Sequence, residues 1–161
     1  MTDIAALLGL LSSAGVEFIL VGGAAATAHG SARLTQDVDI VYARSAENIQ
    51  RIVRALSRAS PYLRGAPPGL PFRWDSRTLE RGLNFTLTTS LGDLDLLGEI
   101  TGGGSYADLL PHTLRLHVFG VECPCLDLET LIRVKRAAGR PRDLEAVAEL
   151  EAILELRRKQ R

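Results

Sequence analysis

Asp37-Val38-Asp39-Ile40 and Asp93-Leu94-Asp95-Leu96-Leu97 each set two carboxylates one residue apart among apolar neighbours. In an extended strand alternate side chains share a face, so each pair sends both acids one way and its apolar residues the other. Like charges this close repel, and a cation or a proton between them relieves the repulsion. If the two strands are neighbours, their carboxylates converge. Three oxygen ligands on rigid strands suit magnesium, an ion that keeps waters and accepts substrate phosphates. One Asp-x-Asp alone is usually an exposed strand face; two on separate strands of a short chain are more informative. Gly22-Gly23 directly follows the apolar run Glu17–Val21. Glycines there let a phosphate approach the backbone, where amides at a helix start point at it. A tight strand-to-helix turn also needs a glycine without any ligand. The stretch GGAAATAHG lacks both the G-x-G-x-x-G of dinucleotide sites and the Gly-Lys-Ser/Thr of a Walker loop.

The elements that must position these groups follow from periodicity and punctuation. A first helix is predicted over Asp3–Ala14, with Ile4, Leu7, Leu8 and Leu11 on one face and Gly15 as its stop. Glu17–Val21 reads as a strand, and AAATAH after Gly22-Gly23 as a helix that Gly30 ends. Asp37–Tyr42 alternates and is β-branched, so it reads as a second strand. Ser45 caps a helix with Ile49, Ile52, Val53 and Leu56 along one side. Residues 59–78 are rich in proline and glycine and read as a long functional loop. Asn84–Thr88 and Asp93–Leu97 form a hairpin. Gly102-Gly103-Gly104 reads as flexible punctuation, Tyr106–Leu110 as a short helix, and Leu114–Val118 with Val121–Cys125 as another hairpin. Asp127 caps a helix to Ala138, stopped by Gly139, and Pro141 opens the last helix. The expectation is one α/β domain over residues 1–161, a mixed sheet flanked by helices with a C-terminal helical pair.

Composition narrows the function. The 161 residues are 46% hydrophobic and 24% charged, ordinary for a globular protein and unlike a disordered one. Nineteen basic residues balance nineteen acidic ones, so no overall field draws the chain to nucleic acid or a membrane. The balance is uneven: residues 61–132 carry five basic and nine acidic groups, residues 133–161 nine and five. The acidic excess overlaps the second Asp-x-Asp. The basic excess suits phosphate contacts, or a solvated helix face. No apolar run reaches membrane-spanning length, and the N-terminal MTDIAALLGLL lacks a basic leader and a cleavage site. A cytoplasmic protein is expected. Cys123 and Cys125 fit neither a disulfide framework nor a zinc site and read as a packed pair of thiols.

The order of the parts resembles the nucleotidyltransferase superfamily with its polymerase-beta-like fold. Its pattern is an apolar residue with Gly-[Gly/Ser], a spacer, Asp-x-[Asp/Glu], and a third carboxylate on a later strand. Val21-Gly22-Gly23, Asp37-Val38-Asp39 and Asp95 match it. Arg33-Leu34-Thr35-Gln36-Asp37-Val38-Asp39 looks like the R-x-T-x-D-x-D of a compact bacterial branch that includes AbiEii- and MenT-like toxins. Members of that branch often carry a late Leu-x-x-x-Lys, then Arg and Asp, here Leu131 to Lys135, Arg140 and Asp143. The similarity spans roughly residues 15–150. The Gly-Ser and Ser-Asp typical of antitoxin-paired minimal transferases are absent, and AbiEii-like enzymes are usually larger.

The resemblance implies that Asp37, Asp39 and Asp95 hold two magnesium ions, with Asp95 where an acceptor hydroxyl loses its proton. Gly22 and Gly23 would cradle the β- and γ-phosphates. Arg33, Thr35 and Lys135 would complete the nucleotide site, with surface salt bridges as the competing roles of Arg33 and Lys135. The implied reaction moves a nucleoside monophosphate from a nucleoside triphosphate to a hydroxyl on tRNA or other RNA, a protein or a small molecule. An antitoxin is an implied partner. A catalytically quiet domain that binds nucleotide or protein is the alternative; a helical DNA-binding antitoxin disagrees with the strand pattern and zero net charge. His29 reads as a helix-terminal histidine favoured by the dipole. His112 and His117 have no ligand-spaced companions. Asp93 reads as an exposed carboxylate near a turn, though it shares the face of Asp95. Phe72 and Trp74 either stack a base or pin their loop to the core.

Overall fold

The computed structural model describes residues 1–161. The Asp3 carboxylate accepts from the Ala6 N–H at 3.0 Å and starts α1 (Ile4–Ser13), which buries Ile4, Leu7, Leu8 and Leu11. β1 (Phe18–Val21) is buried along its whole length and runs straight into α2 (Gly22–Ala28). β2 (Asp37–Tyr42) alternates at its start, with Val38 and Ile40 buried and Asp37 and Asp39 turned into a cleft. α3 (Ala46–Leu56) begins where the Ser45 hydroxyl accepts from the Asn48 N–H.

The proline- and glycine-rich stretch is more ordered than its composition suggests. A 3-10 turn (Ser57–Ala59) leads into it, it holds the two-residue strand β3 (Tyr62–Leu63), and α4 (Ser76–Arg81), capped by Asp75, begins at its end. Tyr62 and Phe72 meet edge to face with centroids 6.0 Å apart, and the Trp74 indole N–H donates to the Val53 carbonyl at 2.9 Å. Both Phe72 and Trp74 pack on the core, so they pin the loop.

β4 (Asn84–Thr89) and β5 (Gly92–Leu97) form the expected hairpin. The triple glycine is not loose: it turns β6 (Glu99–Ile100) back on β7 (Gly104–Ser105) in a separate two-stranded ladder. α5 (Tyr106–Leu109) follows, then the hairpin of β8 (Thr113–Val118) and β9 (Val121–Leu126). α6 (Leu128–Ala138) and α7 (Pro141–Lys159) pack on each other as the C-terminal pair, and α6 also touches α2.

Seven strands make one mixed sheet in the order β3-β4-β5-β2-β1-β9-β8. β2 lies parallel to β5 and β1 parallel to β9; the remaining pairs are antiparallel. The two parallel joints bring distant segments together, and β2–β5 is the one that matters for the site. A core cluster of 34 buried residues runs through the sheet and its helices. No helix is long and apolar enough to cross a membrane. Cys123 and Cys125 are both buried and free, and burial pushes the Cys125 thiol up to about 12.

His29 departs from the charged helix-end reading. It is buried, and its Nε2 donates to the Leu126 carbonyl at 2.7 Å while Nδ1 accepts from Arg157 at 3.1 Å. Burial lowers its pKa below the ordinary value, and the Arg157 charge adds to the effect. A neutral imidazole therefore ties the end of α7 to β9.

α6 depends on its cap, since the Asp127 carboxylate accepts from the Thr130 N–H at 2.8 Å. Asp127→Ala is expected to cost about 1 kcal/mol of stability in urea denaturation. A loss beyond about 3 kcal/mol would mean that Asp127 does more than cap.

Candidate active site

The register of the sheet builds the site. Asp37 stands beside Asp93 and Asp39 beside Asp95 across the parallel β2–β5 pair, while Val21 stands opposite Asp39 across β1–β2. Asp37, Asp39 and Asp95 each present a carboxylate oxygen within 4.8 Å of the other two. The expected convergence on one sheet face is therefore what the fold produces.

Asp39 is the most deeply set of the three. Burial raises its pKa first of all, with the neighbouring Asp37 charge and a hydrogen bond to Asp95 adding to it, up to about 8. Its Oδ1 is buried with no hydrogen-bond partner. Asp37 is raised as well, by burial and by Asp95, against the pull of Arg64 and Arg142. An orphaned carboxylate oxygen beside two more carboxylates is a hard-oxygen donor set, and it fits a divalent cation such as magnesium.

Gly22 and Gly23 are fixed by contact. Gly22 has φ +66°, and a Cβ on it would fall 2.1 Å from Asp39 Oδ2. A Cβ on Gly23 would fall 2.7 Å from Thr35 Oγ1. Thr35 in turn donates from Oγ1 to the Asp37 carbonyl at 3.0 Å. The turn between β1 and α2 thus lies flush against β2, bare backbone next to the acids.

Lys135 is half-buried in the last turn of α6 and faces the same cleft. Burial holds its pKa below the usual lysine value, and Asp143 and Asp39 offset part of that. Arg140 donates from Nε to Asp143 Oδ2 at 2.6 Å. Burial opposes ionisation of Asp143, yet the Arg140 hydrogen bonds and the nearby Lys135 hold its carboxyl below the ordinary range. Arg33 is exposed and lies 3.5 Å from Glu145, so it lines the cleft as a surface ion pair.

Two residues escaped the reading of the sequence. Arg64, just after β3, reaches over β4 to pair with Asp95 at 2.8 Å and lies 3.4 Å from Asp93. Nothing periodic marks it, because it sits in the proline- and glycine-rich stretch. Arg142 lines the cleft from α7. Asp93 is part of the acidic wall, about two-fifths exposed and paired with Arg64. The cleft, lined by the four carboxylates of β2 and β5 together with Lys135, Arg140 and Arg142, measures about 620 Å³. A second cavity of about 390 Å³ shares Gly22, Asp39, Lys135, Arg140 and Asp143 and has apolar walls from Val21, Leu97, Ile100, Leu131, Val134 and Ala138.

No family model and no curated protein matches the sequence. Solved structures resemble its fold. The lincosamide antibiotic adenylyltransferase LnuA, solved with lincomycin bound, superposes with a TM-score of 0.61 at 17% identity, covering 94% of this chain and 98% of its own. The chain has a nucleotidyltransferase fold. A candidate nucleotidyltransferase from Thermotoga maritima superposes with a TM-score of 0.57 at 16% identity, covering 92% and 94%. Within the nucleotidyltransferase fold the three converging acids lie on the two central strands β2 and β5.

Proposed function

We propose that the chain is a magnesium-dependent nucleotidyltransferase that moves a nucleoside monophosphate from a nucleoside triphosphate to the hydroxyl of a small molecule. The observation that carries this reading is the convergence of Asp37, Asp39 and Asp95 within 4.8 Å beside a glycine turn and a cationic wall. Asp37, Asp39 and Asp95 are the residues that would hold magnesium. When bound, magnesium would neutralise the carboxylates and stabilise the charge of the departing pyrophosphate.

The chain's own groups do the rest. Gly22 and Gly23 leave room for the triphosphate against bare backbone. Lys135, Arg140 and Arg142 supply positive charge along the cleft. Asp95 receives the proton as the acceptor oxygen attacks the α-phosphorus. The bond from that phosphorus to the bridging oxygen of the β-phosphate breaks, and pyrophosphate leaves with the bonding pair. A cleft of about 620 Å³ is within the range of pockets that take small ligands, about 300–1,000 Å³.

A small-molecule acceptor is favoured because this chain and the antibiotic adenylyltransferase cover each other almost end to end. An RNA acceptor, with a toxin role and an antitoxin partner, is the second outcome of the same test. Four α-labelled triphosphates are incubated with magnesium and either a panel of hydroxylated antibiotics and small alcohols or total RNA. Label on a small molecule supports the reading; label on RNA redirects it to the toxin branch. Triphosphate binding without transfer would leave the quiet domain.

Lys135→Ala is expected to weaken magnesium-nucleotide binding by ~1–3 kcal/mol, the range for a hydrogen bond to a charged group. A loss below ~1 kcal/mol that salt erases would reduce Lys135 to a surface cation. Isothermal titration at two salt concentrations decides.

A further inference from the structure

Arg64 is the cation that holds the carboxylates in this cleft. Its Nη2 donates to Asp95 Oδ1 at 2.8 Å and to the Leu87 carbonyl at 2.7 Å. Its Nε lies 3.4 Å from Asp93 Oδ1 but is poorly aligned, so that buried nitrogen makes no hydrogen bond. The side chain is delivered from behind the sheet's edge. Arg64 extends β3, donating its own N–H to the Thr86 carbonyl at 3.0 Å, and Gly65 turns away at φ +78°. Across the centre, Asp39 Oδ1 has no partner at all. The acids are thus tied on the β5 side by one guanidinium and left open on the β2 side.

We propose that Arg64 is the internal counter-ion of the metal-free centre and that it gives up Asp95 when a divalent cation loads. The proposal rests on the reading of Asp37, Asp39 and Asp95 as metal ligands. A guanidinium only donates, so Nη2 occupies one of the lone-pair directions of Asp95 Oδ1, and its positive charge opposes a second cation on that carboxylate. Arg64 has somewhere to go, because Asp93 stands two residues along the same face of β5 and meets only the misaligned Nε. The Leu87 carbonyl anchors the fork throughout. Arg64 is a positioning residue: its role is to hold and release the Asp95 carboxylate, and it acts through Asp95.

Two effects compete when Arg64 is removed. Repulsion between a guanidinium and a divalent ion is twice that between two single charges at the same distance. Against this, Asp95 loses a partner that orients it. Asp95 is short and rides on a central strand, so little freedom is released. Relief of repulsion wins.

The test uses the full chain without nucleotide and reads Mn²⁺ binding from the electron paramagnetic resonance of the free ion, with thermal melts in chelator and in Mn²⁺. Arg64→Gln is expected to bind Mn²⁺ about tenfold more tightly than wild type, as loss of a nearby like charge implies. It should melt lower than wild type in chelator and gain more on adding Mn²⁺. Arg64→Lys keeps the charge and should bind within about threefold of wild type. A glutamine variant that folds only with Mn²⁺ present supports the proposal. Wild-type binding that disappears in Asp39→Asn but is unchanged or weaker in Arg64→Gln overturns the proposal and leaves the metal site standing. Absence of Mn²⁺ binding in both wild type and Arg64→Gln overturns the metal reading, and the counter-ion role with it.

Discussion

Asp39→Asn is expected to make the metal-free protein more stable above neutral pH while abolishing metal-dependent nucleotide binding. In the folded protein burial and the adjacent acids raise the Asp39 pKa from 3.8 to about 8. A raised folded value favours the protonated form. Its stabilising contribution is therefore complete below about pH 4 and is lost as the pH climbs towards 8. Asp37 is shifted the same way and steepens the slope. Wild type in chelator should lose stability on the order of 3 kcal/mol between pH 5 and pH 8.5. The asparagine variant, which keeps a donor towards Asp95 and carries no charge, should lose much less. Magnesium at pH 8 should restore wild type and leave the variant unmoved, because the cation replaces the proton among the carboxylates. Urea denaturation at the two pH values, with titration of magnesium-ATP and magnesium-CTP, reads both halves. A flat wild-type profile would remove the electrostatic account. Unchanged nucleotide binding by the variant would remove Asp39 from the site.

Gly22→Ala is expected to cost about 2–4 kcal/mol, the sum of a left-handed backbone and an overfilled contact. The added Cβ would lie 2.1 Å from Asp39 Oδ2, 2.9 Å from Cγ and 3.0 Å from Cβ. Rotating the carboxylate clears the first contact but not the last, so the strand or the turn must move. Gly15 separates the two causes: its φ is +72°, and nothing lies within 4 Å of an added Cβ. Gly15→Ala should therefore cost only about 1 kcal/mol. Metal binding should survive Gly15→Ala and fail in Gly22→Ala. Equal losses of stability in the two variants would show that backbone strain, and not the fit against Asp39, explains Gly22.

The acid strands were legible because a period of two survives in six residues, and each Asp-x-Asp carries its own buried partners, Val38 and Ile40 or Leu94 and Leu96. α6 was legible from its ends, Asp127 as cap and Gly139 at φ +70°. The parallel pairing of β2 with β5 was not, since no local pattern states which strand a distant strand will adjoin. Arg64 was hidden for a related reason. Its element is two residues long, and its partners Leu87 and Asp95 are 23 and 31 residues away. Asp143 stands out in the sequence only through the late Lys-Arg-Asp pattern, and no local signal shows that it is almost fully buried beside Arg140 and Lys135. His29 does end α2, but a place at a helix end says nothing of burial against Leu126.

The small β6–β7 ladder pairs only with itself, Glu99 with Ser105 and Ile100 with Gly104, and contributes no strand to the seven-stranded sheet. Glu99 and Thr101 nevertheless stand at the wall of the apolar cavity beside Asp39, with their side chains exposed. Substitutions at these two positions reshape that wall without altering any rung between β2 and β5. A few surface changes there can reshape the cavity beside the acids, while Asp37, Asp39 and Asp95 stay on strands that those changes never touch.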